Sequence, residues 1–196
     1  MASGIFFLVA GPAGVGKTTL LKRLVAEEKN LVKAISVTTR PPRADEKDGI
    51  AYHFWSTERF DAAVANGEFL EHAIVHGKRY GTLAQFVLDR MNDGIDVVKD
   101  IDVQGVQQIS VHPLFQGRTA SVFIMPPSHD ELVKRLRGRA SETDETLAIR
   151  LKTAESELER AGEFEYIVIN DEFEHAMAEL KAIRLAEHCL SARRLK

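Results

Sequence analysis

The sequence predicts an α/β fold in which a parallel sheet is flanked by helices. Three observations carry that prediction. An apolar, β-rich run at residues 5–9 leads into a glycine-rich turn and then a helical pattern. Short β-branched runs recur at residues 96–103, 120–125 and 166–170, and stretches of helical periodicity separate them. Strands that alternate with helices pair in parallel, because each helix carries the chain back to the end of the sheet where the next strand begins.

The first unit is the most specific. Its turn reads Gly11-Pro12-Ala13-Gly14-Val15-Gly16-Lys17-Thr18, a complete match to the phosphate-binding loop G-x-x-x-x-G-K-[ST], with Thr19 beside it. The glycines let the backbone curl into a nest of N–H donors around a polyphosphate. Lys17 then reaches the β and γ phosphates, and the Thr18 hydroxyl is offered to Mg²⁺. A nucleoside triphosphate is implied, on a sheet of the P-loop NTPase type. The helix after the loop places Leu20, Leu21, Leu24 and Val25 on one face, with Lys22, Arg23, Glu27 and Glu28 turned outward.

Later elements follow in order. Ser128-His129-Asp130-Glu131 has the form of a capping box, so a helix is expected from near Ser128 to about Gly138. Another begins near Asp144, with Leu147, Leu151, Ala154 and Leu158 at helical spacing and Gly162 placed as a terminating C′ glycine. A last amphipathic helix carries Phe173, Met177, Leu180 and Ile183. Residues from about 33 to 96 differ in kind. They hold Pro41, Pro42, several aromatics (Tyr52, Phe54, Trp55, Tyr80) and a short helix at about 56–66 stopped by Gly67. They read as an insertion of strands and one helix between the first βα unit and the rest of the sheet.

Size and composition bound the function. The 196 residues support one well-buried domain with a small appended lid. Hydrophobic residues make up 44% and charged residues 28%, the balance of a globular protein, and the net charge of −3 provides no global field to gather nucleic acid. Phosphate binding must then come from local Arg and Lys clusters, which favours a small phosphorylated ligand. The first apolar run is six residues long and ends in the phosphate loop, too short for a signal peptide or a membrane span, so a cytoplasmic protein is expected. Cys189 is the single cysteine and excludes an internal disulfide. The seven histidines lack metal-ligand spacing and read as surface or core residues, and the basic end Ala192-Arg193-Arg194-Leu195-Lys196 reads as a solvated helix terminus.

A second anion site is suggested by Ser36-Val37-Thr38-Thr39-Arg40-Pro41-Pro42-Arg43, where two arginines flank a rigid proline pair. Guanidinium forks suit phosphate oxygens, and a fixed backbone loses less entropy on binding. Further on come Gly49-Ile50-Ala51-Tyr52-His53-Phe54, Gly67-Glu68-Phe69-Leu70-Glu71, Gly77-Lys78-Arg79-Tyr80-Gly81-Thr82, Asp100-Ile101-Asp102-Val103-Gln104-Gly105, the R-L-x-x-R pattern of Arg135 and Arg139, and Val168-Ile169-Asn170-Asp171. With these in order, the chain resembles the guanylate kinase family over nearly its whole length.

The resemblance implies transfer of the γ-phosphoryl group of ATP to GMP, and to dGMP, with Mg²⁺. It implies that Arg40, Arg43, Tyr52 and Tyr80 hold the GMP phosphate, that Ser36, Glu71 and Thr82 address the guanine, and that Asp100 contacts the GMP side. It places Asn170 with the phosphate loop on the ATP side, Asp102 near Mg²⁺ through water, and Arg135, Arg139 and Arg150 as lid arginines acting with Lys17 and Arg43 on the transferring group. The implied layout is a core of residues 1–32, 97–134 and 163–196, a GMP-binding segment at about 33–96 and a lid at about 135–162.

The chemistry of the base agrees. Guanine presents N1–H and N2–H₂ side by side, so one carboxylate accepts both, whereas adenine leaves Glu71 unmatched. The sequence departs from the family's usual pattern at His72, Lys78-Arg79, Ala44-Asp45, Ala13 and Thr19, and none of these removes a substrate ligand. Two alternatives differ in kind. One is a kinase for a phosphorylated sugar such as ribose 1,5-bisphosphate, which has no use for Glu71, Thr82 and Ser36. The other is a non-catalytic guanylate-kinase-like domain that grips phosphopeptides, which has no use for an intact phosphate loop. No nucleic acid, membrane or protein partner is expected.

Overall fold

The structure is a computed structural model describing residues 3–75, 77–137 and 144–195. The chain runs β1 (Phe6–Ala10), α1 (Lys17–Glu27), β2 (Leu31–Lys33), β3 (Val37–Thr38), β4 (His53–Phe54), α2 (Thr57–Ala65), β5 (Phe69–Val75), β6 (Lys78–Leu83) and α3 (Ala84–Asn92). It continues through β7 (Asp96–Asp100), α4 (Val103–Ser110), β8 (Thr119–Met125), α5 (His129–Arg137), α6 (Asp144–Glu159), β9 (Tyr166–Ile169), α7 (Phe173–Cys189) and α8 (Ser191–Arg194). Five strands form a parallel sheet in the order β2-β7-β1-β8-β9. A second sheet, β4-β3-β6-β5, is built from the inserted segment, with β3 antiparallel to β6 and β6 antiparallel to β5.

The apolar run of β1 has a physical reason. Phe7 and Val9 pack with Leu20, Leu21 and Leu24 of α1 and Met177 and Leu180 of α7, while Phe6 and Leu8 face Val87 and Met91 of α3 and Ile109 of α4. Successive side chains point to opposite faces, both faces are covered by helices, and the strand is therefore apolar throughout. A smaller cluster, Leu132 and Leu136 with Leu147 and Ala154, joins α5 to α6 beside the sheet.

Several expectations are met and several corrected. Ser56 caps α2 through its hydroxyl, 3.2 Å from the Arg59 amide, and Gly67 stops the helix at φ 69°. The strand expected at 96–103 ends at Asp100, because Asp102 turns the chain by accepting the Gly105 amide at 2.7 Å and capping α4. Only half of the capping box forms: Ser128 accepts the Glu131 amide at 3.2 Å, but the Glu131 carboxylate bonds Arg135 instead of turning back. Gly162 is not a left-handed terminator. It lies in a 3-10 turn, Ala161–Glu163, beside the Arg160–Glu163 ion pair at 2.9 Å.

The segment at 33–96 contains a second helix, α3, which buries Val87 and Met91 in the main core. The basic C-terminus is not wholly solvated either, since Arg193 pairs with the buried Glu187 carboxylate and donates to the Thr119 carbonyl at 2.9 Å. Some histidines do more than fill space: His112 accepts the Leu114 amide at 3.3 Å, and His188 meets the buried Asp96 carboxylate at 2.8 Å, alongside Arg184 at 2.6 Å. Among the described residues no helix is long and apolar enough to cross a membrane.

Candidate active site

The phosphate loop sits where the sheet forces it. A Cβ on Gly11 (φ 142°) would lie 2.3 Å from the Ile124 carbonyl oxygen on β8, and one on Gly16 (φ 100°) would lie 2.5 Å from the Asn170 side-chain nitrogen. Both glycines are fixed by backbone angle and close approach together. Helix α1 begins at Lys17 with no side-chain cap, so its N-terminal amides and positive dipole end are directed at the loop. That is an anion site in the making. The Lys17 ammonium bonds the Gly11 carbonyl and donates to the Pro12 carbonyl at 3.1 Å, bending back over the loop it serves. Thr18 and Thr19 follow on the exposed first turn.

Asn170, at the end of β9, is buried behind the loop. Its side-chain amide donates to the Val15 carbonyl at 2.6 Å, its main-chain N–H donates to Met125 at 2.8 Å, and its carbonyl accepts from Arg135 at 3.0 Å. Loop, sheet and α5 are thereby joined at one residue. Arg135 is also held by Glu131 at 2.9 Å, and that hydrogen bond keeps the Glu131 carboxyl below its ordinary range. Arg139 lies outside the described residues.

The inserted sheet supplies the opposite side. Glu71 and Thr82 are partners in the β5–β6 register, next to a bulge between Phe69 and Glu71, and the Thr82 hydroxyl donates to the Glu71 carboxylate at 2.5 Å. Arg40 donates to both oxygens of Glu46, at 2.8 and 2.9 Å, and lies 5.4 Å from the Tyr52 ring centroid. The Tyr52 and Tyr80 rings meet edge-on at 6.0 Å. The Glu46 carboxylate raises the Arg40 pKa further, and burial raises that of the Tyr52 phenol. Arg43 is exposed, and its backbone amide donates to Glu46 at 2.9 Å.

Between the loop and the inserted segment lies a cavity of ≈ 710 Å³, whose lining does not include Arg40, Arg43, Glu71, Tyr80, Thr82, Arg135 or Asn170. Gly11, Ala13 and Lys17 line it on the loop side and Ser36 and Tyr52 on the inserted side, with Asp100 and Asp102 at its floor and Arg150 reaching it from α6. A space of that size suits substrates of nucleotide dimensions. Three further charged residues line it: Lys99, Lys33 and Glu157. Burial raises the Glu157 carboxyl above its ordinary range, opposed by Lys17 and reinforced by Asp102 and Asp100. Lys99 is 3% exposed and bonds the Ser36 hydroxyl oxygen. One signal for Lys99 stands in the sequence: a lysine in a central strand of a sheet covered on both faces requires a partner.

Residues 5–187 match the sequence profile that defines guanylate kinases. The chain belongs to the guanylate kinase family. A protein named guanylate kinase from Dechloromonas aromatica is 44% identical over 181 residues, 92% of this chain and 88% of its own length. Another of that name from Nitrosococcus oceani is 42% identical over 194 residues, 99% of this chain and 94% of its own. The crystal structure of guanylate kinase from Anaplasma phagocytophilum superposes with a TM-score of 0.77 at 31% identity, covering 98% of this chain and 90% of that one. As a guanylate kinase family member, the chain is a phosphotransferase with the P-loop-type sheet the sequence predicted.

Proposed function

We propose that the enzyme transfers the γ-phosphoryl group of ATP to GMP, and to dGMP, giving ADP and the corresponding diphosphate. The observation that carries this reading is the single cavity with the phosphate loop on one wall and Ser36 and Tyr52 of the inserted segment on the other. An oxygen of the acceptor phosphate attacks the γ-phosphorus in line, and the bond to the β–γ bridging oxygen breaks with its electron pair passing to ADP. The acceptor oxygen is already ionised near neutral pH, so no strong general base is required.

What the protein supplies is position and charge. Lys17 and the α1 amides take the β and γ phosphates. Arg40, Arg43, Tyr52 and Tyr80 hold the acceptor phosphate, with Arg40 exchanging Glu46 for it. Arg135, Arg139 and Arg150 bring positive charge to the transferring group, and Asp100 orders the acceptor side. Asn170 fixes the loop from behind.

The donor set fits Mg²⁺. Mg²⁺ takes oxygen ligands, and two oxygen-bearing side chains by the phosphate loop and the cavity, Thr18 and Asp102, would hold it together with the nucleotide. Thr18 offers its hydroxyl. Asp102 has one oxygen committed to the Gly105 amide and the other to give through water. When bound, the ion neutralises charge on the β and γ phosphates.

Glu71 and Thr82 favour a base-bearing acceptor over a phosphorylated sugar, and the intact loop favours catalysis over phosphopeptide binding. An ADP-release assay across GMP, dGMP, AMP and ribose 1,5-bisphosphate tests the reading. GMP and dGMP are expected to turn over at least a hundredfold faster than the other two at equal concentration; equal turnover of AMP overturns the guanine assignment. Lys17→Ala is expected to abolish turnover, and an active Lys17→Ala enzyme would contradict the assigned role of the loop.

A further inference from the structure

We infer that Lys99 is a positioning residue of the acceptor site, holding the Ser36 hydroxyl so that its proton is presented to a carbonyl oxygen on the six-membered ring of the purine. The inference rests on the reading of the acceptor as GMP.

The first observation is burial. Lys99 stands on β7, the strand beside the centre of the main sheet, at 3% exposure, and lysine is almost never so buried without a partner. Its hydrogen bond among the described residues goes to Ser36, 63 residues away, and both line the cavity. A neutral hydroxyl repays little of the desolvation cost of an ammonium. An apolar side chain of similar volume would serve stability as well, so the charge needs another explanation.

A serine hydroxyl has one proton to give and two lone pairs to receive, while an ammonium only gives. With Lys99 donating to its oxygen, Ser36 must send its own proton elsewhere. The Ser36 backbone is fixed as well, its carbonyl accepting from His53 at 2.9 Å beside β3. Ser36 is therefore held in place as a donor at the cavity wall.

The second observation is the pattern so formed. Glu71 with Thr82 presents acceptor oxygens, and Ser36 backed by Lys99 presents a donor. Guanine offers the complement, with a carbonyl acceptor at position 6 next to the N1–H and N2–H₂ donors. Adenine would set an amino donor against the Ser36 donor and leave both unpaired. Lys99 thus fixes the polarity of the site at the base's sixth position.

The surrounding charges set when this holds. Burial pulls the Lys99 pKa down to about 8; Glu71 on β5 and Asp100 on β7 oppose that, and Lys33 on β2 adds to it. Near neutral pH the group is an ammonium and Ser36 is held as a donor. As pH rises through about 8 the amine gains a lone pair, accepts from Ser36, and the hydroxyl is released from its orientation.

The test uses the full chain and initial rates with ATP against three acceptors. GMP and inosine monophosphate both carry the carbonyl oxygen, and 6-thioguanosine monophosphate replaces it with sulfur, a weak acceptor. Lys99→Met is expected to raise KM for the first two about tenfold, with kcat and the KM for ATP within about twofold and the 6-thio acceptor affected about twofold or less. An equal loss for all three acceptors, or a loss in ATP affinity, overturns the inference and leaves a structural lysine. Should Lys99→Met fail to fold, the wild-type enzyme decides. Its KM for GMP relative to the 6-thio acceptor is expected to rise as pH passes about 8, and a flat ratio overturns the inference. Wild-type enzyme that does not phosphorylate GMP would refute the acceptor assignment itself, a result distinct from either of these.

Discussion

Under the proposed function, Glu71 is the side chain that sets the choice of base. Its carboxylate already accepts from Thr82 at 2.5 Å and has lone pairs left for two more donors. In Glu71→Gln the amide oxygen keeps the Thr82 bond, but its NH₂ group faces the guanine donors, so one pair is lost and one becomes repulsive. The cost of about 3 kcal/mol expected for such a mismatch is a rise of about a hundredfold in KM for GMP, with the KM for ATP unchanged. Steady-state titration of each substrate separates the two, and an equal loss for both would make Glu71 a structural residue. The phosphate loop was legible at this scale because its chemistry is contiguous, running from Gly11 to Thr18 in one stretch. Lys99 and Glu157 were not. Their meaning depends on residues far away in sequence, Ser36 and Lys17; a charge in a covered strand marks Lys99 as needing a partner but does not name it.

At the scale of the element, the ends of strands and helices carry most of the information. Asp96 opens β7 and is 1% exposed; it accepts the Ile5 amide at 2.9 Å, Arg184 at 2.6 Å and His188 at 2.8 Å. One carboxylate therefore ties β7 and the chain entering β1 to α7. Removing it leaves an amide without its acceptor and a partly buried guanidinium short of one partner, so Asp96→Ala is expected to cost about 3–5 kcal/mol. Urea unfolding checks this by a lower midpoint with an unchanged slope. The KM values of the surviving folded enzyme should stay near wild type, since Asp96 stands at the other end of β7 from Asp100. Strands β1 and β8 were legible because each is a short apolar run buried in a covered sheet, and β9, though at the sheet edge with Ile167 and Ile169 exposed, because it is short and β-branched. The end of β7 was not, because the turn belongs to the Asp102 cap, and neither α3 nor α4 carries a periodic stretch long enough to stand out from its surroundings. Gly162 misled for a related reason: a glycine after a helical pattern marks a left-handed cap only if the backbone turns there, and here the chain tightens into a 3-10 turn instead.

For the whole molecule, the consequential fact is that the cavity is assembled from three separately built pieces: the phosphate loop of the main sheet, the inserted sheet that begins near Ser36, and α6 with Arg150 and Glu157. A ligand that touches one piece stabilises that piece; a ligand that spans them stabilises their arrangement. An adenosine–guanosine dinucleotide joined by five phosphates carries both bases and bridges the loop to the acceptor wall, so its second half binds at a high effective concentration once the first is seated. Any ligand that binds the folded state alone adds RT ln(1 + [L]/Kd) to stability, about 2.7 kcal/mol at a hundred times Kd. For a chain of this length that raises the melting midpoint by roughly 5–11 °C. The bridging dinucleotide with Mg²⁺ is expected to raise it beyond ATP and GMP added separately at the same concentration, and beyond the diadenosine compound of equal length, whose second base meets the wrong hydrogen-bond pattern at Glu71. Thermal melts of the four samples decide. A mixed dinucleotide no better than the diadenosine one would show that guanine is not read at the far wall. One no better than ATP alone would show that the two walls do not act on one bridged ligand.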